Sequence, residues 1–153
     1  MENLSFMIEI IKEGDLFEVP GNIGHGVNCS GVMGKGIALE FKRRYPEMFK
    51  SYRDLCLSGK FGPGDVFAWQ DPITLRWILN LGTQKTWKEK AKPEYLKESL
   101  KKTINFIGET EITFPRICAG LGGMDWEEVK SIFFSIDSPR VHIYLIENSA
   151  QKT

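Results

Sequence analysis

Two glycine-rich segments constrain this chain more than any other feature. They are Gly31-Val-Met-Gly34-Lys-Gly36-Ile37-Ala38 and Ala119-Gly120-Leu121-Gly122-Gly123-Met124-Asp-Trp126. Each follows an apolar run that reads as a strand, 24–27 for the first and 112–117 for the second, and each opens a stretch with helical spacing. A strand, a glycine turn and a helix N-terminus make an anion cradle, because first-turn amides lack internal acceptors and the helix dipole favours negative charge. Two cradles in one chain predict a ligand with two phosphates, or one phosphate flanked by sugars.

The rest of the chain supplies a sheet to carry those loops. Residues 7–11 read as a strand, and Gly14-Asp15-Leu16 turns the chain. Apolar positions at 37, 38, 41 and 45 predict a helix, and Pro46 suits the first turn of another that runs to about Leu57. Residues 65–69 and 75–81 read as a hairpin around Gln70-Asp71-Pro72, and 83–92 as an irregular polar stretch. An amphipathic helix follows over 93–106, then a strand over 111–117, a helix over 125–136 broken by Pro139, and a last strand over 141–146. From Glu147 onward a frayed tail is expected. The alternation predicts one domain over 1–153, a three-layer α/β/α sandwich with a central mixed β-sheet. In such sheets ligands bind at the carboxyl ends of the strands, where both glycine loops would sit.

Composition narrows the class. With 153 residues and 42% hydrophobic content there is material for one core. Twenty basic and twenty acidic side chains cancel, so the overall balance demands neither nucleic acid nor an anionic membrane. No apolar run approaches the ~18 residues of a membrane span, and the start lacks a basic leader, so a cytoplasmic protein without membrane contact is expected. Three scattered cysteines fit reduced thiols, and with two histidines they show no metal-ligand spacing.

The first loop is not a nucleotide-triphosphatase loop. That motif needs GxxxxGK[ST], whereas Gly36 follows Gly34-Lys35 and Cys29 stands at the required first glycine. The dinucleotide fingerprint fails too, because the glycines are spaced GxxGxG and no acidic residue ends a following strand about 20 residues on. What remains is Asn28 at a strand end before a glycine turn. Its amide can donate and accept at once, which suits sugar hydroxyls or a positioned water, or else builds an Asx turn.

These residues resemble the macrodomain, an ADP-ribose-binding family, over nearly the whole chain. The matching features are Gly14-Asp15-Leu16, Asn28, Gly34-x-Gly36-Ile37-Ala38 with Phe41 and Tyr45-Pro46, and Pro115-Arg116-Ile117 leading to Gly120-Leu-Gly122-Gly123. They are most similar to the branch of terminal ADP-ribose glycohydrolases, DNA ADP-ribosyl glycohydrolase antitoxins and yeast-type ADP-ribose 1″-phosphate phosphatases. The resemblance implies that Asp15 and the Leu16 amide meet adenine. Asn28, Met33, Gly34, Gly36, Ile37 and Thr83 would surround the distal ribose and one phosphate, and Ala119, Gly120, Leu121, Gly122, Gly123 and Met124 would wrap the other. Asp15 could equally form a turn of its own.

One departure bears on chemistry. Glycohydrolases of this branch commonly carry a lysine after a threonine past the fourth strand. Here the segment is Leu81-Gly82-Thr83-Gln84-Lys85, so Gln84 takes that position and Lys85, one residue on, would point the other way if extended. The phosphatases share a His-x-x-Asn arrangement, seen here as His25 and Asn28, though a strand histidine can also be buried structure. The catalytic candidates are therefore Asn28, His25 and Lys85. Cys118 has no histidine near it in sequence and is set aside as a thiol nucleophile.

The expected activity is hydrolysis at the distal ribose 1″ position of an ADP-ribose derivative by a monomer, with no cofactor or metal. Its partners would be ADP-ribose or ADP-ribosylated protein or nucleic acid. A non-catalytic ADP-ribose reader is the alternative. A third reading uses Lys85, Lys88, Lys90, Lys92, Lys97, Lys101 and Lys102 around Trp87 to hold a polynucleotide, against a plain solvated helix face.

Overall fold

In the computed structural model, residues 7–136 and 140–149 are described. Their elements run β1 (Ile8–Gly14), β2 (Asn22–Asn28), α1 (Gly36–Arg44), α2 (Pro46–Leu57), β3 (Val66–Gln70), β4 (Trp77–Gln84), α3 (Pro93–Ile107), β5 (Glu111–Phe114), α4 (Trp126–Ser135) and β6 (His142–Ser149). The six strands lie in the order β1-β6-β5-β2-β4-β3. All neighbours are parallel except the β3–β4 hairpin, so the sheet is mixed as expected. Five strands therefore end on the same edge, and the segments after β1, β2, β4 and β5 gather there.

The strands alternate between two apolar layers. Leu79, Leu81, Ile112, Phe114, Ile143 and Leu145 pack with Leu96 and Leu100 of α3 and Val129 and Phe133 of α4. Ile23, Val27, Ile78 and Ile146 pack with Phe41 of α1 and Met48 and Tyr52 of α2. This is the predicted three-layer arrangement, set by the period-2 side-chain alternation. Strand β2 shows it most plainly. Its odd positions, Ile23, His25 and Val27, are buried on the α1–α2 side. On the other side stand Gly24 and Gly26, where a β-carbon would lie 2.6 Å from Phe114 Cε1 and 2.8 Å from Thr83 Oγ1 respectively.

Boundaries shift by up to three residues at most strands, β1 running on to Gly14 and β4 covering Trp77–Gln84 where 75–81 was expected, and the following differences have clear physical reasons. The strand expected over 111–117 stops at Phe114, because Pro115 has no N–H for the ladder and Ile117 N turns back to Pro115 O at 2.7 Å. The frayed tail begins later than Glu147. Glu13 pairs with Asn148 and Gly14 with Ser149, and Glu147 accepts Trp126 Nε1–H at 2.9 Å. Polar composition misled there, because β6 still has a neighbour to pair with. The expected lysine face also divides: 85–92 is a loop, while Lys97, Lys101 and Lys102 lie on α3, with Lys102 bridging Asp65 at 2.9 Å. Pro139 and residues 150–153 lie outside the described residues. Among the described residues, no helix is long and apolar enough to cross a membrane.

Two polar staples fix the lower edge of the sheet. Asn22 donates to Glu111 O at 3.0 Å and accepts from Trp77 N at 2.9 Å, joining β2 to both neighbours. Arg76 donates to the carbonyls of Phe17, Val19 and Gly21, which clamps the return from β1 to β2.

Gly24→Ala puts a methyl into the Phe114 ring and is expected to cost about 1–3 kcal/mol. Urea unfolding monitored by fluorescence checks it, and an unchanged midpoint would show that the ring yields freely.

Candidate active site at the carboxyl edge of the sheet

Loop one is closed by Asn28. Its Oδ1 accepts from Ser30 N at 3.0 Å and Val32 N at 3.4 Å, and its Nδ2 donates to Val32 O at 2.9 Å. The Tyr52 hydroxyl reaches up from α2 to Asn28 O at 2.7 Å and Oδ1 at 2.9 Å. Gly31, at φ +83°, makes the turn that lets this ring close. Asn28 thus builds the Asx turn, and one of its two amide hydrogens is spent inside the loop. Helical spacing along α2 turns Tyr52 toward the core. Its ring is there, but the partner of its hydroxyl lies 24 residues away and no local pattern signals it.

Strand pairing brings the branch-specific position beside Asn28. Val27 pairs with Gly82 and Asn28 with Gln84, so Thr83 is the extra residue of a bulge. Thr83 is buried, its carbonyl accepts Lys92 N at 3.2 Å, and its hydroxyl bonds the Cys118 thiol. Gln84 Nε2 donates to Glu89 O at 2.7 Å. Lys85 is exposed, one residue beyond the end of the paired strand.

Loop two owes its shape to backbone contact. Cys118 sits at φ +64° and its carbonyl accepts Met124 N at 2.9 Å. A β-carbon on Gly122 would stand 2.6 Å from Cys118 O, so only glycine fits there. Burial pushes the Cys118 thiol up to about 12, which keeps it protonated and poorly nucleophilic. The amides of Gly120, Leu121 and Gly122 donate to no acceptor among the described residues, while Gly122 O accepts Ala91 N at 2.8 Å. Successive amides without internal partners are the kind of donor set from which anion-binding concavities are built.

The two helix starts are unequal. Neither α1 nor α4 has a side-chain cap, but α4 carries Glu127 and Glu128 in its first turn and α1 carries no acid there. The positive end of α4 is therefore answered by its own carboxylates. The first-turn amides of α1, from Gly36, Ile37 and Ala38, have no such answer. Negative charge is best received by α1 and by the loop-two amides, and not by α4, contrary to the symmetry the sequence suggested.

His25 does not share this edge. It has no exposed surface, stacks on Phe41 with centroids 3.7 Å apart at 16°, and its Nε2–H donates to Asn80 Oδ1 at 2.7 Å. Asn80 in turn donates to Phe67 O at 3.1 Å and contacts Met48 Sδ at 3.4 Å. Desolvation lowers the His25 pKa to about 4, against a smaller opposing push from Asn80. The bland sequence reading describes its surroundings: a neutral ring locked in the core, three residues below Asn28.

The remaining candidates divide between main chain and side chain. Leu16, Met33 and Met124 are buried, so only their backbone groups are available to a ligand. Gly34 and Gly120 are exposed, Ile37 and Ala119 half-buried, and Leu121 is 68% exposed. Asp15 accepts Phe17 N at 2.9 Å on Oδ1, and its carbonyl accepts Glu18 N at 3.0 Å, shaping its own turn after β1. Tyr144 pairs with Thr113 and stacks on His142 at 4.5 Å, in the amino half of β6. No group of three or more His, Cys, Asp or Glu that could hold a metal ion occurs among the described residues.

A neutral, buried His25 makes stability depend on pH. Its folded pKa lies below the unfolded value, so the unfolded chain binds the extra proton. Stability should fall as pH drops from 6.5 toward about 4, by about 3 kcal/mol from this group, and flatten below. Denaturant unfolding of wild type beside His25→Gln tests this; equal pH slopes in the two proteins would refute it.

The model of one family, the Macro domain, matches residues 25–133. The DNA ADP-ribosyl glycohydrolase of Mycobacterium tuberculosis is 44% identical over 110 residues, covering 68% of this chain but 31% of that protein. The chain thus spans about a third of the length of such bacterial relatives. The ADP-ribose 1″-phosphate phosphatase of Debaryomyces hansenii is 26% identical, with 92% of this chain and all of that protein covered. Among solved structures, the macrodomain of Mycobacterium tuberculosis DarG superposes at a TM-score of 0.77, with 36% identity over 90% of this chain and 96% of that one. Thermosipho africanus DarTG in complex with ADP-ribose superposes at 0.73 with 21% identity, covering 90% of this chain and 41% of that one, a likeness of fold.

Proposed function

This chain belongs to the macro domain family, and on that premise we propose that it binds ADP-ribose at the carboxyl edge of its sheet and hydrolyses an ADP-ribose derivative at the distal ribose 1″ carbon. The observation that carries the reading is the pair of unanswered amide sets: Gly120–Gly122 in loop two and the acid-free first turn of α1. A pyrophosphate satisfies both without a fixed cation. Asp15, after β1 on the same edge, supplies an acceptor for an exocyclic amine at the purine end.

The chemistry follows from placement. Water adds to the anomeric carbon as its bond to the acceptor oxygen or nitrogen breaks, and the water proton ends on the leaving group. Asn28 offers its second amide hydrogen to a ribose hydroxyl, with Tyr52 holding the amide still. Gln84, paired with Asn28, is neutral and cannot form a covalent adduct as a lysine amine could. Lys85, exposed and one residue past the end of β4, has no role in this reading. Rate enhancement then rests on orientation and on the charge of the bound pyrophosphate beside an oxocarbenium-like carbon. His25 supports from the core and transfers no proton. The three free thiols fit a reducing compartment such as the cytoplasm.

A second reading, a reader module that binds without turnover, is favoured by Gln84, whose amide is already committed to Glu89 O at 2.7 Å. Turnover of ADP-ribose 1″-phosphate and of ADP-ribosylated DNA or protein separates the two.

Gly120→Glu places a carboxylate beside the three amides at a position where a β-carbon meets nothing within 4 Å. It should weaken ADP-ribose binding about tenfold or more through like-charge repulsion, with little change in melting temperature. Calorimetry with ADP-ribose, beside ATP and NAD, reads it; full affinity in this variant would sink the proposed pyrophosphate site. Gln84→Lys should raise glycosidic turnover on the order of tenfold or more if the neutral side chain limits the rate. An unaltered rate would remove Gln84 as the cause.

A further inference from the structure

The two edges of the sheet are guarded unequally. Strand β1 closes one edge, and its sequence Ile8-Glu-Ile-Ile-Lys-Glu-Gly14 sets Glu9, Lys12 and Glu13 along it. Charged side chains are a common guard of an edge strand against pairing with another chain. Strand β3 closes the other edge as Val66-Phe-Ala-Trp-Gln70, with no charge, no proline and no bulge. Its ladder to β4 fixes which of its backbone groups are spent. Gly82 N donates to Asp65 O at 2.8 Å and Asp71 N to Arg76 O at 2.9 Å, so the odd-numbered residues from 65 to 71 face β4. The N–H and C=O groups of Val66, Ala68 and Gln70 therefore point away from the sheet, and no strand lies beyond them among the described residues. The turn that follows is rigid. Asp71 accepts Ile73 N at 3.3 Å and the Thr74 hydroxyl at 2.7 Å, and the turn holds Ile73 88% and Leu75 64% exposed.

We propose that β3 pairs with β3 of a second copy of this chain, antiparallel about a two-fold axis at Ala68, to give a dimer with one continuous sheet. The edge is self-complementary in this register. Ala68 meets Ala68 of the second copy and Val66 meets its Gln70, so every outward N–H and C=O from 66 to 70 gains a partner. Phe67 and Trp69 then fall opposite each other, twice, in the close positions between hydrogen-bonded pairs, on the face that β3 shares with α1 and α2. The acids flanking the strand are already answered, Asp65 by Lys102 at 2.9 Å and Asp71 by its own turn. The hairpin tip of each copy lies at the end of the new ladder, beside the exposed Pro63 of the other, which gives Ile73 and Leu75 an apolar neighbour. An unrelated extended peptide would gain the backbone bonds but not the matched aromatic pairs. Because the pairing is antiparallel, the carboxyl edges of the two copies face opposite ends of the joined sheet, and neither pocket is covered. Such a dimer departs from the monomer expected from the sequence and is independent of what the pocket binds.

Sedimentation velocity of the full chain tests the dimer over concentrations from about 1 μM to about 1 mM, the range in which small interfaces associate. The wild type should pass from monomer to dimer within that range. Ala68→Lys and Ala68→Glu each set like charges against each other at the axis and should weaken association about tenfold or more, whereas an equimolar mixture of the two should associate again as a heterodimer. Ala68 also packs toward α3, so a second variant keeps the test clear of misfolding. Gln70→Pro, at an exposed position, removes an outward N–H that β4 does not use. It should be monomeric, with a melting temperature close to wild type and ADP-ribose affinity unchanged by calorimetry. A wild type that stays monomeric throughout overturns the dimer. So does a dimer that Gln70→Pro leaves intact, or a mixture of folded Ala68→Lys and Ala68→Glu chains that fails to associate. Calorimetry reads the pocket separately: a wild type that dimerises but takes no ADP-ribose overturns the pocket and keeps the dimer.

Discussion

Strand β2 must run between two packed layers, and most of what is distinctive here follows from how it does so. It pairs with β5 on one side and β4 on the other, with helices over both faces. Gly24 and Gly26 bring the α3–α4 side close enough for Phe114, Thr83 and Ile117 to touch its backbone. On the opposite side His25 is held between Phe41 and Asn80. The strand is thereby fixed in rotation and register up to its last residue, Asn28, and a fixed strand end is the condition for a defined loop. Tyr52, from the helix that covers this face, completes the hold on Asn28.

The two glycine loops look alike in sequence but receive charge by different means. Loop one ends in a helix with no acid in its first turn, so the axial field of α1 is available. Loop two ends in a helix whose Glu127 and Glu128 compensate that field. Its capacity comes from the backbone, bent by Cys118 at φ +64° and by a glycine pressed onto the Cys118 carbonyl. Amide donors suit a pyrophosphate because they are directional and need no counter-charge when the site is empty.

The fold was largely legible because its signals are local. Glycine turns after apolar runs, Pro46 and Pro93 at helix starts and the β3–β4 hairpin all depend on neighbours in sequence, and all appear within a few residues of expectation. What was missed depends on neighbours in space. Glu147 looked like the start of a polar tail, yet it extends a strand because β1 is there to pair with it and Trp126 to donate to it. Tyr52, Asn80 and Arg76 act through partners 24 to 59 positions away. At the site, the loops were readable as loops; that Asn28 spends its amide on its own turn and that His25 is sealed in the core were open alternatives that only packing decides.

The proposed pocket relies on directional donors in place of fixed charge. Directional amide bonds in a half-buried cleft are weakly screened by salt, so they can discriminate the nucleotide sugar at any ionic strength. Gln84 donates to Glu89 O and is paired in the sheet with Asn28. A lysine there would add a cation next to the reacting carbon. In the proposed pocket the glutamine instead keeps this position neutral and leaves the pyrophosphate of the substrate as the largest charge near the bond to be broken. Catalysis in a site of this kind depends on how well the substrate and the attacking water are held in line, because no strong nucleophile compensates for a poorly placed one.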